Sequence, residues 1–260
     1  MTLPLALLLQ TIAVDPSVVA TPVPTAESRF DACALLAAQE PDKAIEQANQ
    51  WRIEGGGVPA RHCLALAYAR QQRWPSAAVA FEQAARESEM AQDGRAANLW
   101  VQAGNARLAA GEYPAARAAL DTALASGALK AQMAGEAHLD RARASVGMND
   151  PAAARRDLDQ ALKLVPDDPL AWLLSATLAR RMEDVERAQT DIAEAAKRSP
   201  DDASVALEAG NIAILAGSPE AARVAWQGAV NNQPGSPAGK AAAAALEAMD
   251  APKTEPQPRQ

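Results

Sequence analysis

Small apolar residues recur along this chain at intervals far longer than the period of any one helix or strand. With Gly104 as an anchor, Ala32, Ala65, Gly104, Ala142, Ala176 and Gly210 form a column with steps of 33, 39, 38, 34 and 34 residues. Twelve positions on, Ala44, Ala77, Ala116, Ala154, Ala188 and Ala222 form a second column. Four further lie Ala48, Phe81, Leu120, Leu158, Ile192 and Trp226, and three beyond those Trp51, Ala84, Ala123, Ala161, Ala195 and Ala229. Steps of four and three keep residues on one face of an α-helix. Between the first two columns the chain shows turn chemistry, as at Gly111 and the Tyr113-Pro114 pair, and Pro is accepted in a first helical turn. Pro166, Pro200 and Pro234 close the last three units, because the residue before a proline leaves the helical region. The pattern therefore predicts two antiparallel helices per unit. Small residues such as Gly104 and Ala116 let the axes approach, and larger ones such as Trp100 and Leu120 fill the space toward the next unit.

The flanks read differently. Residues 3–14, LPLALLLQTIAV, are apolar but shorter than the roughly 20 residues that span a bilayer. With Val18 and Ala20 after them they fit a leader cut behind Ala20, so residues 1–20 are expected to be a signal peptide and 21–25 a linker. The n-region has no Lys or Arg, and an apolar N-terminal cap or a retained anchor is the other reading. Residues 53–61, IEGGGVPAR, are expected to be an inter-repeat loop; a phosphate loop would need a preceding strand and a GK[ST] ending. Residues 236–250 are expected to form a capping helix, and 251–260, rich in Pro and polar residues, a disordered tail.

Composition adds exclusions. Apolar residues make up 49% of the 260, yet only 3% are aromatic, so many small side chains are buried in place of a few large ones. A net charge of −7 argues against a nucleic-acid surface, which needs a basic stripe. The two histidines, His62 and His138, lie far apart, and no HExxH, GxSxG, Walker A or paired CxxC occurs, so neither catalysis nor a metal or cofactor is expected. His138 falls in a packing column. Asp121, Asp157 and Asp159 fall on second helices, where a solvated convex face is the default expectation.

The columns resemble the tetratricopeptide repeat over residues 26–235. Leu64, Ala65, Tyr68, Trp74, Ala77, Phe81 and Ala84 match its pattern, as do Trp100, Gly104, Gly111, Tyr113, Ala116, Leu120 and Ala123, and Trp172, Ala176, Ala188, Ile192, Ala195 and Pro200. The first unit, 26–56, is degenerate, with Trp51 where a small residue is usual. The resemblance implies an all-α, right-handed solenoid of about six helix-turn-helix units, with a concave groove lined by first helices. Two tracks along that groove are implied as partner contacts: Asn105, Arg143, Thr177 and Asn211, and Gln102, Asp140, Leu174 and Glu208. The implied function is a non-catalytic scaffold for a protein or peptide, with assembly of a cell-envelope complex through the convex face or ends as the alternative. First helices of adjacent units run side by side, which brings Cys33 near Cys63; in an exported, periplasmic chain two cysteines pair, whereas in a cytoplasmic one they remain thiols.

Overall fold

The computed structural model describes residues 25–251. The expected leader, the linker up to residue 24 and the tail from residue 252 lie outside the described residues. Among these the chain forms thirteen α-helices and no strand. Six antiparallel pairs follow one another: α1 (Ala26–Gln39) with α2 (Pro41–Ile53), α3 (Gly57–Arg70) with α4 (Trp74–Ala91), α5 (Ala96–Ala109) with α6 (Tyr113–Ala125), α7 (Ala131–Gly147) with α8 (Pro151–Leu164), α9 (Pro169–Arg181) with α10 (Val185–Arg198), and α11 (Ala203–Leu215) with α12 (Pro219–Asn232). The last helix, α13 (Pro237–Asp250), packs on both α11 and α12. Helices pack mainly on their neighbours in sequence, with α1 resting on α3 as well as α2, which makes the array an all-α solenoid.

Local chemistry sets the boundaries. Proline occupies the first turn of α2, α4, α6, α8, α9, α12 and α13. Asp150, Asp168, Asp184 and Asp202 cap α8 to α11 by accepting backbone N–H bonds, each worth about 1 kcal/mol. Within five of the pairs the turn places one residue at positive φ: Gln72, Gly111, Asn149, Glu183 and Gly217. The columns of small residues form the core, and every member except Ala32 is buried. Gly104 packs so closely that a Cβ would lie 2.6 Å from the Leu120 Cγ.

Three expectations are corrected here. Ala32 is exposed, and Cys33 and Ala37 are the buried residues of α1. The cause is turn length: α1 passes into α2 through the single residue Glu40, whereas α3 and α4 are joined by Gln71–Arg73, so the twelve-residue spacing does not carry over to the first unit. The loop expected over 53–61 is short, because α3 begins at Gly57; Gly56 lies against the Trp51 indole.

Asp157 is the third correction. It is not solvated but buried, facing inward from α8. Arg141 donates to both its oxygens through Nε at 3.1 and 3.0 Å, and His138 Nδ1 lies 2.9 Å from Oδ1. Arg141 also donates to Asp121 at 2.7 Å. Burial pushes the Asp157 carboxyl up, but the bonds from His138 and Arg141 outweigh it and hold the group below its ordinary value. One unit later, Ser175 and Asp191 stand where Arg141 and Asp157 stood. Ser175 Oγ donates to the buried Asp191. The cations come from second helices: Arg155 donates to Ser175 Oγ at 2.7 Å, and Arg187 to Asp191 at 3.2 Å. Arg187 also reaches back to Asp159. Charged groups thus cross-link α7 to α10 inside an otherwise alanine-rich stack, and a buried carboxylate needs such partners.

Candidate functional site

First helices present their residues to a groove, and the chain's packing sets its depth. α5 packs against α7 and α9 against α11, whereas α3 and α5, and α7 and α9, stand further apart. A hollow of about 400 Å³ reaches from Trp74 and Phe81 of α4 across α5 to α7. Gln102, Asn105, Asp140 and Arg143 line it together. A second, of about 160 Å³, lies between α7 and α9 over Leu158 of α8, lined by Arg143, Leu174 and Thr177 among others. Arg143 borders both.

Neighbouring contacts hold the first hollow's polar groups in place. Its Gln102 Oε1 lies 3.1 Å from His62 Nε2, which must carry the proton for that bond. His62 stands between Phe30 and Phe81, its ring centroid 4.8 and 5.9 Å from theirs. Burial there lowers its pKa, the bond to Gln102 only partly offsets this, and Arg95 adds to the lowering. Asp140 accepts from Arg143 Nη1 at 2.9 Å. Burial nevertheless raises the pKa of Asp140 above the ordinary value, against the pull of Arg143 and Asn105, and Glu136 adds to the rise.

Glu208 and Asn211 line neither hollow. Glu208 is buried, and accepts from Arg180 Nε at 2.6 Å and from Asn211 at 3.3 Å. Trp74, a match to the repeat pattern, and Phe81 and Leu158, members of one packing column, contribute walls or floor to the hollows. For Phe81 and Leu158 the signal in the sequence was bulk at a column position, which marks contact without saying that the residue borders a hollow. The sulfur atoms of Cys33 and Cys63 are in contact, with Cα atoms 6.0 Å apart, inside the bridging range.

Among the described residues no group of three or more His, Cys, Asp or Glu is placed to hold a metal ion. Nor is any helix among them long and apolar enough to cross a membrane.

Successive helix-turn-helix units, stacked with their first helices side by side, define an α-solenoid. Residues 135–178 and 173–237 match tetratricopeptide repeat models, so that stretch of the chain is built of tetratricopeptide repeats. Solved structures agree on the fold. The Pseudomonas aeruginosa PilF structure is 18% identical, covers 86% of this chain and 99% of its own, and superposes with a TM-score of 0.66. YrrB, described as a TPR protein with an unusual peptide-binding site, is 20% identical over 81% of this chain and 99% of its own, with a TM-score of 0.56. The apo quorum sensor NprR from B. thuringiensis is 10% identical over 86% and 69%, with a TM-score of 0.67. No curated protein matches the chain by sequence.

Proposed function

We propose that the protein is a non-catalytic adaptor that holds an extended segment of a partner protein in its concave groove, and that it works outside the cytosol. The observation that carries this reading is the convergence of Gln102, Asn105, Asp140 and Arg143, from two first helices, on one open hollow, with Thr177 lining a second beyond Arg143. Asn and Gln amides can bond an extended backbone in both directions, and such a segment lies along a groove without needing a fold of its own. Asn211 extends the track, while Glu208 fixes Arg180 beneath it. Export is supported by the apolar run at residues 3–14 and by the meeting of the only two cysteines, oxidised to a disulfide in the mature chain.

Two measurements test this. Random peptides displayed on phage should yield binders whose affinity falls on Asn105→Ala and Asn211→Ala. Binding that survives both substitutions, and is lost when α13 is deleted, would instead favour assembly through the end of the array. Intact mass of the native protein should show a chain beginning after Ala20 with no free thiol; a full-length mass in the cytosolic fraction removes the export part.

A further inference from the structure

The two hollows differ in chemistry, and that difference specifies what each can hold. The larger one has aromatic walls, Trp74 and Phe81, and one carboxylate, Asp140, whose side chain is only 16% exposed. Its sole cationic partner in the groove, Arg143, is 57% exposed. A half-buried carboxylate whose one cation in the groove is itself exposed leaves acceptor capacity for a further cation. Trp74, half-buried on the same hollow, offers an indole that favours a cation over a neutral group, with the buried Phe81 beneath. This chain uses that contact repeatedly on its own surface: Arg29 over Trp51, Arg73 over Tyr68, Arg86 over Trp100 and Arg198 over Trp172, at 4.5 to 5.6 Å. The smaller hollow is almost wholly aliphatic, with Ala142, Val146, Leu158, Leu174 and Leu178 around it. Its size suits one aliphatic side chain, and nothing in it could satisfy a charge except Arg143 and Arg181 at the rim.

We propose that the groove reads two side chains of one extended partner segment: a Lys or Arg seated against Asp140, Trp74 and Phe81, and a Leu, Ile, Val or Met seated between α7 and α9 on Leu158. Arg143 stands on the ridge between them and, once the incoming cation takes over Asp140, is released to donate to the partner's backbone carbonyls. The hollows are one to two first-helix spacings apart, about 10–20 Å at helix packing distances of 8–10 Å. An extended segment rises about 3.3 Å per residue, so the two anchors stand roughly three to six positions apart. The chain's net charge of −7 favours encounter with a basic segment.

The inference rests on the groove reading above, and the test separates the two. Capped, fluorescein-labelled peptides of the form Lys-(Ser)n-Leu, with n varied from two to five, are titrated by anisotropy into wild type, Asp140→Asn and Leu174→Gln, each checked for fold by circular dichroism. The expected result is an optimum in n, and a loss of about tenfold when Lys is replaced by norleucine. Asp140→Asn should remove the preference for Lys and keep that for Leu; Leu174→Gln should do the reverse. Affinity indifferent to Lys or to n overturns the two-anchor inference. If phage-selected peptides bind, and lose affinity on Asn105→Ala, but carry no such pair, the groove reading stands and this inference fails. If neither library nor designed peptides bind, both fail.

Discussion

At Gly210 a side chain is missing because Trp226 has taken its place: a Cβ there would overlap the indole, which is itself fixed by donating from Nε1 to the Leu207 carbonyl at 3.2 Å. Gly210→Ala gains about 1 kcal/mol of helix propensity and meets an overpacking cost of about 1–3 kcal/mol. A rigid bicyclic ring cannot give way as a flexible side chain does, so the cost should win. Urea denaturation is expected to show a net loss of roughly 1 kcal/mol, relieved when Trp226→Leu is added. The turns obey another single-residue rule. Glu183 holds φ at +60°, where Gly111 and Gly217 hold +74° in equivalent turns, and a side chain in that region costs about 1–2 kcal/mol. Glu183→Gly should therefore raise the midpoint and Gly111→Ala lower it. The column of small residues was legible from one sequence because a close helix approach admits nothing else, and it located Gly104, Ala116 and Gly210 correctly. It failed at Ala32 because its register assumed a turn length, and a turn one residue long leaves no mark in the hydrophobic pattern.

Between elements, the buried charges of α7 to α10 matter most. Asp157→Asn leaves Arg141 with only the exposed Asp121, and removing one partner of a buried pair costs about 3 kcal/mol. The same substitution reports on acid stability. The Asp157 pKa in the fold lies below the ordinary carboxylate value of 3.8. Its contribution is therefore fully present above that value and is lost as the pH falls through the folded-state pKa. Wild type should lose stability over that acid range, and Asp157→Asn should lose less; parallel curves would show that the pair carries none of the decline. These residues were not legible as a unit. Arg141 and Asp157 lie sixteen positions apart on facing helices, and a polar residue at a core position looks the same in sequence whether it is paired or solvated. In the groove, Gln102, Asn105, Asp140 and Arg143 line one hollow because their first-helix positions share a direction in α5 and α7, whereas Glu208 and Asn211 at the matching positions of α11 line neither hollow. The register could not show that α3 and α5, or α7 and α9, stand apart and leave room.

Across the whole molecule, stability is distributed along a line, since each unit touches only its neighbours. The first unit is the weak end. α1 buries only Cys33 and Ala37 and rests on α2 and α3. A cross-link closing a loop of this size, with the cysteines 30 positions apart, stabilises by about 3–4 kcal/mol in the chain-entropy model. Hydrogen exchange under reducing conditions should therefore show faster exchange in residues 26–53 and unchanged protection in α9 to α12. An equal rise along the array would mean that the units unfold together and that the cysteine pair is not local in effect.

The ion-paired middle also gives the solenoid an uneven elasticity. Alanine faces that meet without directional bonds can slide a little past one another, as coils of a spring do. The interfaces from α7 to α10 are held by guanidinium bonds to carboxylate and hydroxyl oxygens, whose directionality resists such sliding. Drawn out by its two ends, the array should lengthen first where neighbouring helices meet on alanine alone, and last around Arg141 and Arg187 and where Cys33 meets Cys63 between α1 and α3, so that the stretch of groove nearest Arg143 keeps its curvature longer than the alanine contacts do.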